Sequence, residues 1–310
     1  LCRKSAEFKR LFIPHRSSFR VVWSEADLLP GLIVDRYEDA WVIQTLTLAM
    51  DQRKDMIVSL LKELFGAKAV MERNDVPSRE FEGLLPQKGW LVGSEAAKRI
   101  VTLGEAKMEV DLLEGQKTGE YLDQIANHMA VGVLAKGRKV LDAFTYHGGF
   151  AIHAALNGAS SVEAVDISDD AIAACRRNAE LNGPAAVTWK VANVFDDLNA
   201  RVKAGEGFGL VVLDPPSFTR SRAKLEEALR GYKEINLRAF KLLSSGGLLA
   251  TFCCSHHVDQ ETFRSVVLDA AFDAHKIVRL RGVFSQPPDH PIIPAIPETE
   301  YLKGFLFEVV

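Results

Sequence analysis

Two hydrophobic periods alternate along this chain. Between Phe19 and Leu48 apolar residues fall at strand spacing, in FRVVW (19–23), LIVDRY (32–37) and WVIQTLTL (41–48); Pro30 and Gly31 turn the chain between the first two. From Asp51 to Phe65 the period lengthens, and Met56, Ile57, Leu60, Leu61 and Leu64 share one helical face behind Asp51 as N-cap. A strand near Lys68 to Glu72 follows. The stretch 74–92, with Pro77, Gly83, Pro86 and Gly89, is loop-rich, and paired strands lie near Arg99 to Leu103 and Lys107 to Asp111. This pattern predicts a small α+β domain over residues 1–104, opened by an amphipathic helix from Ser5 to Phe12. A start inside a helix, without methionine, is expected of a fragment lacking its natural amino-terminal part.

Beyond Gly115 strands and helices take turns. The polar, glycine-flanked GQKTGEYLDQ (115–124) leads into a helix from about Asp123 to Ala135. A strand runs through Val140 and Leu141 to Asp142, and further strands are predicted over 161–166, 187–191, 209–213 and 247–252. Helices are predicted after the Gly148-Gly149 pair and over 169–182, 225–243 and 260–272. His275 to Phe284 and Tyr301 to Val310 break the alternation, as two β runs joined by a proline-rich loop. Residues 105–310 are therefore expected to form a Rossmann-like, doubly wound α/β sheet ending in an antiparallel β-hairpin.

Composition narrows the class. The 310 residues are 47% hydrophobic and 25% charged, as in soluble globular proteins. No apolar run reaches the length of a membrane span, and no charged-then-apolar leader opens the chain. A net charge of −3 gives no global attraction to nucleic acid, so such a partner would need a local basic surface. The four cysteines form no disulfide framework, which points to a reducing cytoplasm.

The candidate chemistry lies at predicted strand ends, where open parallel sheets bind ligands. In VLDAFTYHGGF (140–150) a strand runs into a glycine turn and a helix, and the glycines permit a close backbone approach to a ligand. Asp166 ends the next strand and is placed to accept hydrogen bonds from both hydroxyls of a ribose. The loop is not G-x-G-x-x-G, and acidic Asp142 suits a ligand with a cationic end, such as S-adenosylmethionine, better than a pyrophosphate. After the fourth strand, Asp214, Pro215 and Pro216 form either a rigid exit or a grip for a planar base with an amino group. After the fifth, a cysteine of CCSHH (253–257) is a candidate nucleophile or a structural thiol. The crowding of CCSHH disfavours a metal site. Arg220, Arg222 and Lys224 form either a solvated helix start or a phosphate contact.

Six ordered segments, GQKTGEYLDQ, VLDAFTYHGGF, VDIS, LDPPSF, CCSHHV and DHPIIPAIPETEYLKGF, resemble one family over the span from about Phe19 to the end. It comprises the class I S-adenosylmethionine-dependent methyltransferases that form 5-methylcytosine in 23S ribosomal RNA. The resemblance implies an amino-terminal PUA-type RNA-binding domain, absent here, then a small central domain and a catalytic domain. It implies 23S ribosomal RNA as partner, a cytoplasmic setting, no membrane and no metal, and it leaves room for a homodimer. Asp166 would bind the cofactor ribose with Ile167 beside it. The loop carrying Asp142, Phe144, Thr145 and Gly148 would hold the methionine end. Gln116, Lys117, Thr118, Tyr121 and Asp214 would lie near the cofactor, and Asn193, with Val194 and Phe195 beside it, would bond the adenine amino group through its side-chain carbonyl. Pro215, Pro216, Phe218, Arg220, Arg222 and Lys224 would contact RNA.

Cys254 would add to cytosine C6, and Asp214 would hold the base edge. Two departures bear on this. Ile125 and His128 stand where the family often has arginines, and Ser217 stands where a related branch has a second cysteine, leaving a single-cysteine mechanism. Transfer to a guanine or adenine nitrogen on the same scaffold, and a non-catalytic RNA-binding or ribosome-assembly role, are the alternative expectations.

Overall fold

Contacts divide the chain into two units: Leu1–Ile125 with Pro287–Thr299, and Ala126–Gln286 with Glu300–Val310. The computed structural model describes residues 1–93, 96–183, 187–219 and 221–310. In the first unit α1 (Cys2–Phe12), β1 (Ser18–Trp23), β2 (Leu32–Tyr37), β3 (Ala40–Thr45), α2 (Leu48–Asp51), α3 (Lys54–Phe65), β4 (Ala69–Asn74), β5 (Gln87–Val92), β6 (Lys98–Leu103) and β7 (Ala106–Asp111) follow in order. Among the described residues β1 to β5 form one sheet in sequence order, antiparallel except for β3 and β4, while β6 and β7 pair as a separate ribbon.

In the first unit three elements differ from the sequence reading. The expected helix from Asp51 to Phe65 is split, and Asp51 is not an N-cap. Thr47 caps α2 by accepting the Met50 amide, and the Asp51 carboxylate instead receives the Thr45 hydroxyl at 2.8 Å and Arg79 Nη1 at 3.0 Å. The preceding strand accordingly stops at Thr45 rather than Leu48. β5 lies inside the stretch read as loop; its residues are exposed or half-buried, so no apolar alternation marks it, and pairing with β4 makes it a strand.

The first unit also extends past the boundary expected at 104. Arg20 and Asp35 stand opposite each other in the β1–β2 register and are joined by two bonds of 2.8 Å. The Thr118 hydroxyl donates to the same carboxylate at 2.6 Å and lies 3.0 Å from the Tyr37 hydroxyl. A buried ion pair is tolerated when its remaining lone pairs are bonded, and Thr118 meets that need. Segment 115–124 is thereby held to the first unit's sheet.

The second unit comprises α4 (Ile125–Leu134) from Ala126 onward, β8 (Lys139–Ala143), α5 (Gly149–Leu156), β9 (Ser161–Asp166), α6 (Asp169–Leu181), β10 (Val187–Val191), α7 (Val194–Ala204), β11 (Phe208–Leu213), α8 (Leu225–Lys241), β12 (Leu243–Cys253), α9 (Gln260–Asp273), β13 (Val278–Ser285) and β14 (Lys303–Val309). Its sheet runs β10-β9-β8-β11-β12-β14-β13 among the described residues. The first five strands are parallel, and β14 is antiparallel to both neighbours. This is the predicted Rossmann-like sheet with its terminal antiparallel pair.

β11 is apolar along its length because both faces are covered. Tyr232, Ile235 and Phe240 of α8 and Phe263 and Val267 of α9 share one core with Val211, Leu213, Leu249 and Phe305. The sequence reading omitted α7. Its start signal was present in Asn193, which accepts the Phe195 and Asp196 amides, and its stop in Gly205 at φ 69°. The strand order reverses at β8, which sets the carboxyl ends of β8 and β11 side by side.

Candidate active site

The exit of β8 is a loop folded on its own acid. Asp142 is fully buried, and its Oδ2 accepts the Thr145 hydroxyl at 2.5 Å and the Ala151 amide at 3.0 Å. Its Oδ1 is buried without a hydrogen-bond partner. Burial pushes the Asp142 carboxyl up to about 7; the two bonds oppose the rise, and the charge of Asp166 adds to it. The Phe144 and Thr145 amides both donate to the Val165 carbonyl, at 3.0 and 3.1 Å, which stitches the loop to β9. At the end of β9 Asp166 accepts the Tyr146 amide through Oδ2 and the Ser168 amide through Oδ1, each at 3.0 Å. Two carboxylates thus line neighbouring strand exits, and the apolar side chain of Ile167 beside them is 67% exposed.

The glycines of this loop serve protein packing. A Cβ on Gly148, whose φ is 87°, would stand 3.0 Å from the Trp189 ring, and one on Gly149 would stand 2.3 Å from the His128 ring. On the side where a Cβ would project, Gly148 packs against Trp189. Farther along the edge Asn193 caps α7 with its side-chain oxygen, at 2.9 Å from the Phe195 amide. The oxygen expected to face adenine thus also serves the helix start. Val194 is buried in the core, so only its backbone can face a ligand. Phe195, expected beside Asn193, joins Phe144 and Phe218 in an aromatic cluster with centroid separations of 5.8 to 6.4 Å. The three rings come from the exits of β8, β10 and β11, a convergence that only the sheet order creates.

The exits of β11 and β12 carry the remaining candidates. Asp214 is half-buried, and its amide reaches the Ala143 carbonyl at 3.4 Å. Pro215 is buried and Pro216 exposed. Cys254 Sγ lies 3.9 Å from the Pro215 carbonyl oxygen, and the Ser255 hydroxyl donates to the Thr219 carbonyl at 3.4 Å. Cys253 is buried in the core, where burial pushes its thiol up, whereas Cys254 is half-exposed. The adjacent thiols therefore occupy different environments, one in the last residue of β12 and one just beyond it. Arg222 and Lys224 are exposed and hold no partner among the described residues, while Arg220 lies outside the described residues.

Gln116, Lys117, Thr118 and Tyr121 belong to the first unit. The Tyr121 hydroxyl donates to Gln116, and Lys117 pairs with Asp123 at 2.6 Å with its ammonium 4.4 Å from the Tyr121 ring centroid. Gln116 and Lys117 are exposed. Thr118 is fully buried with its hydroxyl engaged by Asp35, so its side chain is a structural tie and not the cofactor contact expected of it.

A family model for S-adenosylmethionine-dependent methyltransferases matches residues 86–307. The chain is 40% identical over 294 residues to "Ribosomal RNA large subunit methyltransferase I" of Aeromonas hydrophila, covering 94% of this chain and 74% of that one. It is 41% identical over 293 residues to the protein of the same description from Photobacterium profundum, at 93% and 74% coverage. A Streptococcus mutans structure described as a SAM-dependent methyltransferase superposes with a TM-score of 0.84 at 21% identity, over 99% of this chain and 81% of that one. A methyltransferase structure complexed with SAH matches equally well, with a TM-score of 0.84, 21% identity and the same 99% and 81% coverage. The chain belongs to the S-adenosylmethionine-dependent methyltransferase family and is an enzyme that uses this cofactor.

Proposed function

We propose that this S-adenosylmethionine-dependent methyltransferase forms 5-methylcytosine in 23S ribosomal RNA, in the cytoplasm, as a member of the PUA-containing cytosine-5 branch. The observation that carries the reading is Cys254, a half-exposed thiol at the exit of β12 beside the Asp214-Pro215-Pro216 turn, with Cys253 buried behind it. The ribosomal substrate is supported by relatives described as ribosomal RNA large subunit methyltransferases.

The residues present fit the cofactor. The unpartnered oxygen of Asp142 suits a cationic amine, and each Asp166 oxygen keeps a lone pair for a ribose hydroxyl beyond its one backbone bond. Exposed Ile167 and the Phe144 ring offer apolar faces to adenine. When bound, S-adenosylmethionine supplies an electrophilic methyl group.

Cytosine C5 is a poor nucleophile by itself. The Cys254 thiolate adds to C6, forming an S–C6 bond and leaving C5 electron-rich, while Asp214 holds the N3 and N4 edge. Once C5 carries the methyl group its proton leaves to a base, the S–C6 bond breaks and the thiolate is released. Pro216, Phe218, Arg222 and Lys224 offer the RNA an apolar and basic surface. The test is mass spectrometry of 23S ribosomal RNA from cells lacking the protein. One 5-methylcytosine should disappear, and it should return with the wild-type chain and not with Cys254→Ala. Loss of an N-methylated base instead would move the assignment to transfer at a ring or exocyclic nitrogen.

A further inference from the structure

A lysine is buried next to the thiols. Lys303 of β14 stands opposite Cys253 of β12 in the antiparallel register, and it is 4% exposed. Its ammonium donates to the carbonyl of Ser255, the residue after Cys254, at 2.6 Å, and holds no carboxylate partner among the described residues. Burying an ammonium without a counter-ion is costly, and one carbonyl offsets only part of that cost. The groups that act on it electrostatically, in order of strength, are Cys253, Cys254, Glu300 and Asp259; burial lowers its pKa and these oppose the shift. From the other elements Asp214 raises the Cys253 thiol further, while Tyr232 of α8 and the Lys303 charge lower it. Cys253 remains raised by its burial, which leaves Cys254 as the thiol with access to water.

We infer that Lys303 is a positioning residue for the Cys254 thiolate. Its bond to the Ser255 carbonyl fixes the turn that presents Sγ, and its ammonium stabilises the negative charge left when the thiol proton departs to solvent. The lysine keeps its own proton throughout. The coupling is mutual, because the thiolate supplies the counter-charge that the buried ammonium lacks. The inference rests on Cys254 being the nucleophile of the proposed reaction.

The test needs no RNA. The pH profile of Cys254 alkylation by iodoacetamide is followed on the whole chain by tandem mass spectrometry, in wild type, Lys303→Met and Lys303→Arg. Lys303→Met should slow the reaction at neutral pH about tenfold, move the profile to higher pH and leave the high-pH plateau unchanged. Lys303→Arg should return the profile close to wild type. A folded Lys303→Met chain with the wild-type profile would overturn the inference. Should that variant not fold, the wild-type profile decides: a midpoint no lower than that of the same chain in urea rejects the role. A chain that shows the shift yet does not methylate cytosine would sink the proposed function and leave the coupling standing.

Discussion

Cys254 Sγ stands 3.9 Å from the Pro215 carbonyl oxygen, so the exits of two adjacent parallel strands converge on one thiol. Cys254→Ala should abolish methyl transfer while leaving S-adenosylmethionine binding intact, because the thiol acts on the base. Cys253→Ala should keep activity and lose about 1 kcal/mol of stability as a small buried truncation. RNA with 5-fluorocytosine at the target should be trapped on the wild type, since fluorine cannot leave as a proton does. Adduct mapping by mass spectrometry checks this, and trapping through Cys253 would overturn it.

Asp166 ends β9 with each oxygen already bonded to one amide. Asp166→Ala should remove two charge-assisted bonds to ribose, each worth about 1.5–3 kcal/mol, and lower cofactor affinity at least about tenfold. Calorimetric titration of a folded variant is the check. Unchanged affinity removes Asp166 from the cofactor site.

Arg222 and Lys224 are exposed just beyond the Asp-Pro-Pro turn. Replacing both with alanine should weaken binding to a ribosomal RNA fragment and flatten the dependence of log K on log salt by about 1.4, two single-strand phosphate contacts. Cofactor affinity should hold. An unaltered slope would make the segment a solvated helix start, and a triple variant including Arg220 should flatten the slope further.

Asp142 carries its carboxyl up to about 7 in the fold, against an ordinary value near 3.8. Between those values the folded chain holds a proton that the unfolded chain has released, so this group's contribution to stability falls as pH rises through the window. Above about 7 both states are ionised and the contribution is flat. Urea unfolding of wild type and Asp142→Asn from pH 4 to pH 8 should show the difference moving in the variant's favour up to about pH 7. A difference that does not change with pH would contradict the raised carboxyl.

The placement of the candidate residues at strand ends was legible because it is local. A strand buried on both faces shows a continuous apolar run, as in Leu210 to Leu213, and the first polar residue after it marks the exit. Asp142 and Asp214 were found in this way; Asp166 closes a run interrupted by Glu163, and Cys254 was chosen over Cys253 by family resemblance. The Cys253–Cys254 contrast was expected only if strand geometry reached Cys254; β12 stops at Cys253, and the contrast arises where the chain leaves the sheet.

What a side chain meets across the sheet has no such local mark. Asn193 and Gly148 have the residue types of a ligand loop, and the structure adds partners no local pattern showed: the Asn193 oxygen caps a helix, and Trp189 packs where a Gly148 Cβ would project. Thr118 sits in a polar segment that reads as a binding loop, and its hydroxyl closes a buried ion pair with Asp35, 83 residues away. β5 escaped because hydrogen bonds to β4, and not apolar burial, define it.

Sequence alone determined which residues stand at strand exits, since chain connectivity and hydrophobic period act over a few residues. Only the tertiary structure decided which exits are neighbours and what lies behind them. The reversal at β8 brings Phe144, Phe195 and Phe218 together, and the antiparallel return of β14 sets Lys303 opposite Cys253. The Phe144–Phe195, Phe144–Phe218 and Cys253–Lys303 pairings each join residues 50 or more positions apart. They are selected by the burial of whole faces, which leaves no pattern in either segment read separately.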